Sequence, residues 1–130
     1  MFAETWKQAR EDNYHWLSCW HQGALIGFTC FGREPLTEAT WDLFWICVLP
    51  SARRQGVGSA LLQAALAHAS ALGGRLMVIY TSSAPAYLPA HRLYESQGFK
   101  RVAVVPGYYR DNEDLHIYWR RLNSSTDSVC

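Results

Sequence analysis

Nine residues, Trp41 to Leu49, read WDLFWICVL and carry a single charge, Asp42. Because both alternating faces of this run are apolar, it predicts a strand buried on both sides at the centre of a sheet. Pro50 ends it, and a polar stretch leads to Gly56-Val57-Gly58. From Ser59 to Leu72, the residues Leu61, Leu62, Ala65, Leu66, Ala69 and Leu72 recur at helical spacing, and Gly73-Gly74 supplies the stop. Arg75 to Thr81 (RLMVIYT) predicts a second buried strand. Strand, helix and strand in this order form a crossover, so the two strands are expected to lie side by side and parallel.

The remaining segments are expected to extend that unit. Phe2 to Asn13 predicts a short amphipathic helix with Phe2, Trp6 and Ala9 on one face. His15 to Trp20 and Ala24 to Phe31 are two β-like runs separated by His21-Gln22-Gly23, a hairpin signal. Gly32 to Thr40 and Ser82 to Ala86 read as loops. A second helix runs to about Gln97, with Pro89 tolerated in its first turn and Gly98 placed to close it. Arg101 to Val105 and Leu115 to Leu122 predict two more strands, joined through a loop from Pro106 to Asp114 that holds Tyr108 and Tyr109. The expected class is α+β: about six strands, largely antiparallel, with one parallel step. A single domain is expected over residues 1–122. The polar, Ser-rich tail from Asn123 to Cys130 is expected to be disordered.

Composition narrows the function classes. The net charge is +1 and Lys and Arg are not clustered beyond short pairs, which argues against a nucleic-acid partner held through phosphates. The cysteines Cys19, Cys30, Cys47 and Cys130 form no Cys-x-x-Cys pair, and three lie in apolar runs, so buried reduced thiols are expected. The five histidines show no i,i+4 pairing, so no metal site is expected. No signal peptide is read at the N-terminus and no stretch approaches the ~20 apolar residues of a membrane span. A cytoplasmic protein is the expectation.

A glycine-containing loop that opens a helix presents unpaired N–H groups backed by the positive end of the helix dipole, and so suits a phosphate. Arg53 and Arg54 add charge nearby. Known phosphate loops do not match: no Lys follows Gly58, Leu61 stands where a dinucleotide fingerprint needs a small residue, and no Ser lies between the glycines. What matches is Arg-x-x-Gly-x-Gly between a buried strand and an amphipathic helix. This arrangement resembles motif A of the GNAT N-acetyltransferases, and Ala90-x-x-Leu93-Tyr94-Glu95-x-x-Gly98-Phe99 is similar to their motif B.

The resemblance covers roughly Trp41 to Leu122 and implies the GNAT acyl-CoA N-acyltransferase fold, with acetyl-CoA as donor and a primary amine of a small molecule or protein as acceptor. It implies that backbone groups around Cys47 and Val48 pair with the pantetheine arm. Arg53, Arg54, Gln55, Gly56, Val57, Gly58 and Ser59 would hold the pyrophosphate, mainly through N–H groups. Tyr94 matches the tyrosine that, in many members, protonates the leaving thiolate; packing at a helix–sheet seam is the other reading. Asp42 aligns with a glutamate base of some members, and a hydrogen-bonded carboxylate at a strand start is an equal alternative. Tyr87 stands where the family often has a cofactor-binding Asn, and would fall with His91 and Tyr94 along one helix face. Glu95 is expected at the surface. The usual strand and two helices at the front are reduced to at most one short helix, which shortens the N-terminal part. The acceptor pocket is then open, completed by a second subunit, or lost, and a homodimer is the expected assembly. Tyr108, Tyr109 and Trp45 are candidates to line that pocket, with core packing the stronger reading for Trp45. A GNAT scaffold that binds acyl-CoA or a partner without turnover is the rival reading.

Overall fold

The computed structural model describes residues 4–122. They form one sheet of seven strands and two helices. The strands are β1 (Glu4–Glu11), β2 (Tyr14–His21), β3 (Ala24–Arg33), β4 (Thr40–Val48), β5 (Leu76–Ser82), β6 (Lys100–Arg110) and β7 (Glu113–Arg121). Their spatial order is β1-β2-β3-β4-β5-β7-β6. Only β4 and β5 are parallel, and α1 (Val57–Ala71) crosses between them as expected. The second helix is α2 (Leu88–Ser96), preceded by a 3₁₀ turn at Pro85–Tyr87.

Three expectations need correction. The helix expected from Phe2 to Asn13 is instead the strand β1, paired with β2 from Glu4↔His21 to Glu11↔Tyr14 (Phe2 lies outside the described residues). Helical spacing of Trp6 and Ala9 misled here, because the deciding force is the backbone ladder that β2 offers. This strand brings the count to seven. The loop expected from Pro106 to Asp114 is mostly strand: β6 continues to Arg110 and turns through Asp111 and Asn112, the latter at φ 67°.

The third correction concerns β4. Trp41 and Leu43 are buried, but Phe44, Trp45 and Cys47 are exposed. Both helices lie on the same face of the sheet. They share one core, in which Leu62, Ala65, Leu66 and Ala69 of α1 and Tyr94 of α2 pack on Leu17, Phe31, Trp41, Leu43, Met77, Ile79 and Tyr118. They are also fastened to each other, since Gln97 Nε2 donates to Ser59 Oγ at 2.9 Å. Among the described residues no element covers the opposite face. There Trp16 and Trp45 stack, with ring centroids 5.9 Å apart, flanking the fully buried Cys30. Cys19 and Cys30 are buried as expected, whereas Cys47 is exposed; Cys130 lies outside the described residues. Trp45 is thus not a core residue.

One glycine shows how tightly the helix face is built, and another how a hairpin turns. A Cβ on Gly27 of β3 would stand 2.9 Å from Leu61 Cδ1 and 3.0 Å from the Cys47 carbonyl oxygen, so α1 rests directly on the strand. The Gln22-Gly23 turn, at φ 49° and 79°, has the paired positive dihedrals that suit a two-residue hairpin.

Candidate functional site

The parallel pairing of β4 with β5 stops at Leu43↔Ile79. Beyond it β4 stays with β3 through Val48, and β5 stays with β7 through Ser82, so the two strands part and a gap opens. The cause is local. Cys30 pairs with Trp45 and Phe31 with Leu43, leaving Phe44 as an extra residue in β4. Such a bulge bends its strand and breaks the ladder. Leu49 N–H donates to the Ile26 carbonyl at 2.9 Å. Antiparallel alternation then turns the backbone groups of Trp45 and Cys47 toward β3, and those of Ile46 and Val48 toward the gap. Of the two positions expected to offer backbone groups, Val48 therefore faces the gap, while the adjacent Cys47 presents an exposed side chain on the open face.

The glycine loop lies at the end of β4. Arg54 and Gly56 are both left-handed, at φ 64° and 81°. The first backbone bond of α1 runs from Ala60 to Gly56 at 3.0 Å, which leaves the N–H groups of Val57, Gly58 and Ser59 without helical partners. The helix start has no side-chain cap and no acidic residue in its first turn. Its positive end is therefore uncompensated by the protein. A Cβ on Gly58 would meet only Leu93 Cδ2 at 3.4 Å and Val48 Cγ2 at 3.5 Å, ordinary contacts. Packing does not demand glycine there; what the missing Cβ leaves open is the space between β4 and α2 beside those N–H groups. Arg53 Nε donates back to the Val48 carbonyl at 3.3 Å, and Gln55 Nε2 to the Ser51 carbonyl at 3.4 Å. Ser59 Oγ is used by Gln97.

Across the gap, α2 presents Tyr94, which is buried and meets Tyr118 edge-on at 5.7 Å and Phe99 at 6.2 Å. Burial, with Tyr118 and Tyr87 nearby, pushes its phenol up to about 12. His91, one turn earlier, is also buried, and its Nε2 bonds the Ser82 carbonyl at 2.9 Å. Tyr87 precedes the helix and is half-exposed. Glu95 is exposed as expected, yet it accepts the hydroxyl of the buried Tyr118 at 2.9 Å, tying α2 to β7. Tyr108 and Tyr109 lie on β6, both exposed, in edge-on contact at 5.0 Å.

On the open face, at the point where the strands part, a cleft of about 370 Å³ is lined by Glu34, Asp42, Leu43, Phe44 and Tyr80. Asp42 is half-buried and lines this cleft with the Glu34 carboxyl. Two neighbouring carboxyl groups do not both ionise readily. Burial first, then the neighbouring Glu34, push Asp42 up to about 7. Sequence reasoning missed Glu34. It stands in a loop with no spacing relation to Asp42, and only the antiparallel return of β4 beside β3 brings the two together.

The match to proteins of known class agrees with this geometry. The family model described as "Acetyltransferase (GNAT) family" matches residues 1–99. The chain belongs to that family. It is 36% identical over 96 residues to an N-alpha-acetyltransferase of Saccharolobus solfataricus, covering 74% of this chain and 57% of that protein. To an N-alpha-acetyltransferase of Sulfurisphaera tokodaii it is 34% identical over 91 residues, covering 70% and 54%. The chain thus spans little more than half the length of these relatives. Among solved structures, a GNAT-family acetyltransferase of Desulfovibrio desulfuricans superposes with a TM-score of 0.83 at 36% identity, over 86% of this chain and 70% of that one. In this GNAT chain no helix among the described residues is long and apolar enough to cross a membrane, and no group of three or more metal-ligating side chains is found among them.

Proposed function

We propose that this chain is an acetyl-CoA-dependent N-acetyltransferase that transfers the acetyl group by direct attack of an amine within a ternary complex. The observation that carries the reading is the set of free N–H groups on Val57, Gly58 and Ser59 at the mouth of the β4–β5 gap. They suit a pyrophosphate, and Ile46 and Val48 offer strand-like pairing to an amide-bearing arm laid in the gap.

The acceptor would enter from the open face, where Asp42 and Glu34 meet its ammonium. Magnitudes favour one class of amine. A lysine-like ammonium, with pKa near 10.4, costs about 4.6 kcal/mol to deprotonate at pH 7, whereas an α-ammonium near 8 costs about 1.4 kcal/mol. An Asp42 carboxyl at about 7 is matched to the second as a general base. We therefore read the acceptor as an α-amine, in keeping with the names of the curated relatives. Asp42 takes the ammonium proton, the freed amine nitrogen attacks the thioester carbonyl, the carbon–sulfur bond breaks, and the second nitrogen proton passes to the departing thiolate. Tyr94, at about 12, is a weaker acid than a thiol near 8.5. It thus stays protonated and stabilises the departing thiolate by donating a hydrogen bond, without giving up its proton outright. The exposed Trp45, stacked on Trp16 outside that cleft's lining, supports a homodimer.

Gly56→Asp tests the donor assignment. It places a carboxylate beside the N–H groups at a left-handed position where a Cβ meets no protein atom, so the fold should survive by circular dichroism. Acetyl-CoA binding should vanish by calorimetry, and unchanged affinity would sink the assignment. Steady thiol release with peptide α-amines would dispose of the non-catalytic reading.

A further inference from the structure

A second cleft, of about 340 Å³, opens between the β1–β2 hairpin and the last turn of α1. It lies at the end of a 15-residue helix opposite to the glycine loop, on the order of 20 Å away along the helix axis. Its lining includes Gln8 and Arg10 from β1, His15 from β2, and His68 and Leu72 from the end of α1. Every ionisable side chain in that lining carries nitrogen, and no carboxylate faces it.

His15 is the residue that needs explaining. It is 6% exposed and lines this cleft. Its surroundings are rings: Phe31 stacked at 5.7 Å, Trp41 tilted at 5.2 Å and His68 edge-on at 5.3 Å. Among the described residues Arg10 donates through Nε alone, to the Asp12 carbonyl at 3.0 Å. The carbonyls of His68, Ala69 and Ser70 at the end of α1 accept from Leu72, Gly73 and Gly74, so none of these three meets the cleft unpaired. A cation is disfavoured by Arg10 itself.

We propose that this cleft binds a small oxyanion, a carboxylate or phosphate group, held by Arg10, His15 and His68. Burial, then the Arg10 charge, then His68 lower the His15 pKa, keeping the ring neutral. An anion reverses that balance, so binding takes up a proton and tightens as pH falls.

Histidine ring NMR on the full chain tests the site, with sodium phosphate and sodium acetate titrated separately at constant ionic strength. The expected result is a saturable shift of the His15 and His68 signals with a dissociation constant in the millimolar range, about 10⁻³ M. It should be tighter at pH 6 than at pH 7.5. Response to phosphate alone identifies a phosphate site and response to acetate alone a carboxylate site; either supports the proposal. Arg10→Gln, on an exposed strand, should weaken binding about tenfold, the effect of losing one charge-assisted contact. Lys100→Gln, at the far edge of the sheet, should leave it unchanged. Absence of saturation with both anions overturns the proposal, as does equal weakening by both variants. Phosphate shifts confined to the amides of Val57 to Ser59 also overturn it, since they report the glycine loop alone.

Discussion

The glycine loop and the carboxylate cleft both depend on β4, and they are built on opposite principles. The loop works through backbone: three N–H groups at a helix start, freed because no side chain or preceding carbonyl reaches them. It is assembled from consecutive residues, Arg53 to Ser59. The cleft works through side chains, Glu34 from the loop after β3, Asp42 and Phe44 from β4, and Tyr80 from β5. A backbone site is insensitive to pH and tolerates most side-chain changes except those that alter dihedrals or add negative charge. A carboxylate pair titrates, and either member controls the other.

The largest effect that would sharpen this contrast is expected at Tyr94, proposed to act on the reacting atoms between the two. Tyr94→Phe should lower kcat by about 10² or more, the usual range for a group that handles a proton or developing charge, while acetyl-CoA affinity stays within about threefold. Unaltered turnover would return Tyr94 to the packing it shares with Phe99 and Tyr118.

A smaller effect should separate the two members of the cleft. With Asp42 at about 7, kcat/KM should rise with pH through that value, because the base must be ionised. Glu34→Gln removes the neighbouring charge, so Asp42 should ionise earlier and the rise should move to lower pH. A profile identical to the parent would break the pairing. The same shift has a stability consequence of defined sign. The folded Asp42 holds a proton that the unfolded one, near 3.8, has lost, so folding takes up a proton between 3.8 and about 7. Its contribution to stability is full below that window and is lost as pH rises through it. Chemical denaturation of Asp42→Asn across the same range should show that slope removed.

The smallest effect lies on the scaffold behind the loop. Gly27→Ala forces a methyl group against Leu61 and the Cys47 carbonyl, and should destabilise by about 1–3 kcal/mol in urea unfolding. Gly58→Ala meets only ordinary contacts and should be nearly neutral for stability while weakening acetyl-CoA. Equal destabilisation by both would mean that Gly58 is a packing residue after all.

What could be read from residue order follows the same division. Helix α1, its glycine start and Gly73 stop, the parallel step and the β2–β3 turn were legible because each is set by neighbours within a few residues. The helix wrongly expected before Tyr14 shows the limit: Trp6 and Ala9 fit a helical face, but pairing with β2 decides their conformation. The double burial expected of WDLFWICVL failed for a related reason. Its composition is that of a central strand, yet which face is covered depends on where α1 and α2 land, and both land on one.

The chain's sequence by itself pointed to the family and located the glycine loop and the tyrosine of α2 that are proposed to serve the donor, because local dihedrals and helix termini are properties of contiguous residues. Only the tertiary structure decided that Phe44 bulges and parts β4 from β5, that Glu34 reaches Asp42, and that the buried His15 lines one cleft with Arg10 and His68. Those features join residues distant along the chain, and their energies arise from burial and charge proximity, which no spacing in the sequence encodes.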